Sequence, residues 1–130
     1  MREARTFPHA VTSVSQARRY VTTTLADVPA ELVDSVALMV SELATNACKH
    51  ANTDFVVTIE QVGRQIRIEV TDGGSGEPRP RTPAHDELSG RGLRIVEALS
   101  DDWGVIPADG AGKTVWFSVN AGDQPTVAAS

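Results

Sequence analysis

The chain has 130 residues, 41% of them hydrophobic and 22% charged, which suits a single soluble domain that builds its core without metal or disulfide staples. Its 12 basic and 17 acidic residues leave a net charge of -5, the wrong sign for holding a long polyanion such as nucleic acid. The single cysteine, Cys48, excludes an intrachain disulfide, the charged start Met1-Arg2-Glu3 is unlike a secretory signal, and no apolar run reaches the length of a membrane span. The expectation is a cytoplasmic protein, neither exported nor anchored.

Glu3 to Phe7 reads as a first strand, stopped by Pro8. Ser13-Val14-Ser15-Gln16 matches a capping box, and Val14, Ala17, Val21 and Leu25 recur at helical spacing, which predicts a helix over Ser13 to Leu25. Pro29 opens a longer helix that runs to about His50, with Leu38, Met39, Val40, Leu43, Ala44 and Ala47 as its core-facing candidates. From Phe55 the period becomes two. Phe55, Val57 and Ile59 form one alternation and Ile66, Ile68 and Val70 another, joined at Gly63-Arg64 as an antiparallel hairpin that ends in Asp72-Gly73-Gly74-Ser75-Gly76. Glu77 to Ser89 holds three prolines and no periodicity, so it reads as a long functional or disordered loop. Gly90-Arg91-Gly92 closes that loop and opens a helix to about Ser100. Asp101 to Ile106 and Lys113 to Val119 form the last hairpin, and the small, polar end is expected to fray. This order predicts an α+β two-layer sandwich: a mostly antiparallel sheet covered by helices on one face, with residues 1–120 as one domain and 121–130 as a tail.

Three groups of residues carry chemistry. Glu42, Asn46 and His50 are spaced by four on the second helix, so at about 1.5 Å per residue they line one ridge of an otherwise apolar segment. Asn46 offers a neutral oxygen suited to Mg2+ shared with phosphates, and Glu42, one turn away, can take a proton from an attacking hydroxyl. Asp72 ends a strand in a glycine turn, where its carboxylate can accept from an exocyclic amine such as that of adenine while Gly74 and Gly76 let a base approach the backbone. Gly90-Arg91-Gly92 leaves the first amides of a helix open to an anion, phosphate above all. Each motif by itself also fits a solvated helix face or a plain turn.

Taken together, in this order and at these separations, Glu42-x-x-x-Asn46 with His50, Asp72-x-Gly74-x-Gly76 and Gly90-x-Gly92 resemble the N box and the glycine boxes of the GHKL, or Bergerat-fold, ATPases. Ser41 to Ala51 is especially similar to the N box of the anti-sigma-factor serine kinases of Gram-positive bacteria, and the likeness covers about Phe7 to Val119. The resemblance implies ATP with Mg2+ held through Asn46, adenine read by Asp72, phosphates covered by the amides of Gly90 to Leu93, and Glu42 as the base. It also implies a nucleotide contact for His50, a threonine near the adenine at Thr114, and a homodimer, for which Phe7, Val11 and Val14 are the candidate self-pairing surface unless they are buried within the monomer. The function it implies is a serine/threonine kinase that regulates transcription by partner switching between a sigma factor and an antagonist protein. The alternative is a non-catalytic ATP-binding module that acts through protein contacts. Sensor histidine kinases share this pattern but need a phosphoacceptor histidine on a dimerisation helix, and neither His9 nor His85 has that setting.

Overall fold

The structure, a computed structural model, describes residues 1–51, 53–73, 91–107 and 112–121. Five strands, β1 (Arg2–Phe7), β2 (Phe55–Val62), β3 (Gln65–Asp72), β4 (Asp102–Pro107) and β5 (Lys113–Asn120), form one sheet in the order β1-β2-β3-β5-β4. Every neighbouring pair is antiparallel. The β2–β3 hairpin turns at Gly63, whose φ of +59° lies in the left-handed region that glycine enters without a Cβ penalty. Strand alternation does the rest. Phe55, Val57 and Ile59, Ile66, Ile68 and Val70, and Val115, Phe117 and Val119 are all buried on one face of the sheet.

Three helices, α1 (Thr12–Thr24), α2 (Ala30–Asn46) and α3 (Arg91–Leu99), account for the α layer among the described residues. Ala17, Val21 and Leu25 from α1 and Val33, Val36, Met39, Val40, Leu43 and Ala44 from α2 join the buried strand residues in one core. This is the two-layer α+β architecture that the alternation of periods predicts.

Four expectations change. Leu38 is 43% exposed, because the buried stripe of α2 runs through Val36, Met39, Val40, Leu43 and Ala44 and leaves Leu38 on the flank. The capping box does not form: α1 already includes Ser13, which is buried, and the Ser13 hydroxyl donates to the Pro8 carbonyl at 2.7 Å. That bond ties the helix start to the end of β1 instead of capping an amide. The second helix reaches His50 but not as α-helix, since Ala47–Ala51 is a π-helical turn. Finally, Phe7 is core. It is 1% exposed and lies between Phe55, at 5.4 Å between ring centroids, and Tyr20, at 5.9 Å, so it offers nothing to a self-pairing surface. Val14 is half-buried against the same core, and only Val11 of that trio is exposed, at 87%.

Candidate functional site

The last turns of α2 are built from residues whose side chains bond backward along the helix. The Ser41 hydroxyl donates to the Ala37 carbonyl at 2.8 Å, and that of Thr45 donates to the Ser41 carbonyl at 2.7 Å. Such bonds compete with the backbone ladder and bend helices. At Ala47 the amide is shared between the carbonyls of Leu43 and Ala44, and the π turn follows. His9 secures that turn from the β1–α1 connection: its ring Nε2 lies 3.0 Å from the Cys48 carbonyl and, facing an oxygen that can only accept, donates to it. The His9 backbone amide donates to Asp54 at 2.9 Å, and the Cys48 thiol, half-buried against the core, points to the Ala10 carbonyl at 3.6 Å. Neither His9 nor the π turn is announced by a motif.

Glu42 and Asn46 thus lie one turn apart on the α-helical part of this segment, each half-buried. The step of four is broken before His50, which belongs to the π turn and whose side chain lies outside the described ones. Asn46 has a distinctive environment. Its Nδ2 is shut off from solvent and has no hydrogen-bond partner among the described residues. A buried donor left in that state costs about 1–3 kcal/mol, so the position is built for a polar group that completes it.

Asp72, the last residue of β3, is 6% exposed on the helix-covered face, in register with Phe55 of β2 and Lys113 of β5. Lys113 Nζ donates to Asp72 Oδ2 at 2.6 Å. The turn beyond Asp72 is anchored by the Gly73 amide, which donates to Thr53 Oγ1 at 3.0 Å. Thr114 is not brought to Asp72. Next to Lys113 in β5, it points to the other face of the pleat, where its hydroxyl meets that of Thr71 at 2.8 Å. The residue of β5 that touches the candidate base-reading carboxylate is therefore Lys113, which sequence motifs did not single out. Only the β3–β5 register reveals it.

Arg91 opens α3 with Gly92 and Leu93 in its first turn, so the amides of these residues are the unpaired ones at a helix start. Leu93 is half-buried against the core. Gly74, Gly76, Gly90 and the proline-rich stretch with Arg79 and Arg81 lie outside the described residues, as does the side chain of Arg91.

The helix α2 thus carries a carboxylate and an orphaned amide on the layer that covers the sheet, and strand β3 of that sheet ends in a buried aspartate. The sequence of residues 7–119 matches the model of the histidine kinase-like ATPase domain. This chain belongs to that family. It is 32% identical over 111 residues to Blue-light-activated histidine kinase 2 of Erythrobacter litoralis (strain HTCC2594), a match that covers 79% of this chain and 32% of that protein. Its fold is similar to that in the crystal structure of the RsbU and RsbW domains of Rv1364c from Mycobacterium tuberculosis. There the TM-score is 0.72 at 19% identity, over 92% of this chain and 32% of that one. The chain thus spans about a third of the length of each of these proteins.

A histidine kinase-like ATPase domain implies ATP as its ligand, and the described residues fit that ligand with Mg2+. No cluster of three or more His, Cys, Asp or Glu side chains among them could cage a metal alone. Mg2+, which keeps several water or phosphate oxygens, would need only the Asn46 amide oxygen from the protein. No described helix is long and apolar enough to cross a membrane.

Proposed function

We propose that this chain binds Mg2+-ATP and transfers the γ-phosphate to a serine or threonine of a partner protein, as a switch that holds a sigma factor until a small antagonist protein competes for it. The observation that carries the nucleotide part is the buried, unpartnered amide of Asn46 one turn after Glu42, on the helix layer that covers the face bearing Asp72. In this reading Asp72 accepts from the adenine amine, Asn46 holds Mg2+, the amides of Gly90 to Leu93 receive phosphate, and His50 is a further nucleotide contact. Glu42 takes the proton of the attacking hydroxyl. Bound Mg2+ would spread the charge of the transferring phosphoryl group, and the protein's share is positioning. The partner-switching part is supported by the likeness to anti-sigma-factor kinases in Ser41 to Ala51 and by the shared fold with a structure that contains an RsbW domain.

A second reading is favoured by the identity to a histidine kinase: the same module would pass phosphate to a histidine of a partner or of a longer protein. Calorimetry with ATP and Mg2+, followed by radiolabelled transfer to candidate antagonist proteins, tests both. Binding is expected in the wild type and is expected to weaken strongly in Asp72→Asn, which places an amide donor before the adenine amine. Acid-stable label on the antagonist supports serine or threonine as acceptor, whereas acid-labile label moves the assignment to histidine. No heat of binding at millimolar ATP and Mg2+ overturns the site itself.

A further inference from the structure

The carbonyls of a helix's last turn have no partners within the helix and must find them elsewhere. Here the last turn is the π turn Ala47–Ala51, and the carbonyl of Cys48 is met from outside, by Nε2 of His9 at 3.0 Å. The imidazole is a cap supplied by another segment, the connection between β1 and α1. That connection is itself fastened to the helix end and to the residues after it. The His9 amide donates to Asp54 Oδ1 at 2.9 Å, the Cys48 thiol points to the Ala10 carbonyl at 3.6 Å, and the Ser13 hydroxyl holds the Pro8 carbonyl at 2.7 Å. On the far side, Thr53 Oγ1 accepts from the Gly73 amide at 3.0 Å, so Thr53-Asp54 joins the end of the helix to the turn after β3.

We propose that His9 is a positioning residue of the nucleotide site: its Nε2–H, bonded to the Cys48 carbonyl, holds the π turn directly behind Asn46 and so keeps the Asn46 side chain placed for Mg2+-ATP. The inference rests on the reading of Asn46 as the Mg2+ ligand. A π turn is a rare way to end a helix and persists where its surroundings hold it. With the Cys48 carbonyl unmet, the turn is free to tighten into α-helix or to unwind, and either change moves the residue that precedes it. Asn46 must then be brought into place when the nucleotide arrives, and that cost appears as lost affinity. His9 acts through the helix end alone. Its backbone bond to Asp54 survives any change of side chain, so a substitution of the ring isolates the tie to Cys48.

The test compares His9→Phe, His9→Ala, His9→Gln and His9→Asn with the wild type, by calorimetry with Mg2+-ATP and by amide hydrogen exchange of residues 47–51 without nucleotide. His9→Phe keeps a ring and loses the donor, and His9→Ala makes the same comparison if the phenylalanine disturbs the connection. Both are expected to bind Mg2+-ATP about threefold to tenfold more weakly, the scale of one net hydrogen bond, and to exchange the amides of the π turn faster by a similar factor. The amide nitrogen of glutamine stands as far along the side chain as Nε2, so His9→Gln is expected to recover most of both losses, whereas the shorter His9→Asn recovers neither. In the Asn46→Ala background, replacing His9 is expected to change affinity no further. Wild-type affinity in His9→Phe and His9→Ala overturns the proposal, as do a glutamine variant no better than phenylalanine and an undiminished loss in the Asn46→Ala background. Failure of the underlying reading looks different: the wild type then gives no heat with Mg2+-ATP, or Asn46→Ala binds as the wild type does, while exchange of the π turn is still faster without the His9 donor.

Discussion

Glu42 and Asn46 are neighbours on one helix face with different tasks, and a single substitution at each separates them. A general base acts on the proton that leaves during transfer, so Glu42→Ala is expected to leave the ATP dissociation constant near wild type while transfer falls by about 10² to 10⁴. Asn46→Ala removes the proposed Mg2+ ligand and is expected to weaken binding and transfer together. It also removes the orphaned Nδ2, so the variant without nucleotide is expected to be at least as stable as the wild type. Calorimetry, transfer assays and thermal unfolding of the two variants read these outcomes, and unchanged transfer in Glu42→Ala removes that carboxylate from the mechanism. Tyr20 shows how far local environment acts away from the site. Burial, with the carboxylate of Glu3 beside its hydroxyl, pushes the phenol up to about 12.

At the scale of elements, the strands were the most legible part of the sequence, because Phe55 to Ile59 and Ile66 to Val70 alternate with a period that matches one buried face. Their neighbours were not legible. That β5 lies beside β3, and so delivers Lys113 to Asp72, depends on a crossover that no local pattern encodes. The failed capping box at Ser13 and the π turn at Ala47–Ala51 were missed for the same reason: each is set by bonds to other segments, Ser13 to Pro8 in one case and His9 to Cys48 in the other. Of the candidate site, the step of four from Glu42 to Asn46 and the strand end at Asp72 were readable in the sequence, whereas the contact of Lys113 with Asp72 and the meeting of Thr114 with Thr71 required the register. The close approach of β3 and β5 gives an element-level prediction. Gly112→Ala drives a methyl group to 2.5 Å from backbone that cannot swing aside, so it is expected to cost about 1–3 kcal/mol or more and to weaken ATP binding by shifting Asp72. Denaturant unfolding and calorimetry check it, and a variant that unfolds and binds as the wild type does would mean that the strands part without cost.

For the whole molecule, the decisive position is Phe7, where β1, β2 and α1 meet. The ring is 1% exposed, stacks on Phe55 at 5.4 Å and tilts against Tyr20 at 5.9 Å. Arg5 also lies over it, 5.2 Å from the ring centroid. Removing a buried phenylalanine costs about 3–5 kcal/mol by itself. Placing an ionised carboxylate in the same space adds a desolvation penalty, which the Arg5 guanidinium over the ring offsets only in part. Domains of this size have only about 5–15 kcal/mol in total. Phe7→Asp is therefore expected to lose the fold at room temperature, not to convert a dimer into a folded monomer. Circular dichroism and sedimentation at micromolar concentration, with and without ATP, distinguish the two: a variant that keeps its secondary structure and sediments more slowly than the wild type would place Phe7 at a contact between copies. Any self-association of the wild type must then use other surfaces, and the sheet leaves the outer edges of β1 and β4 unpaired among the described strands.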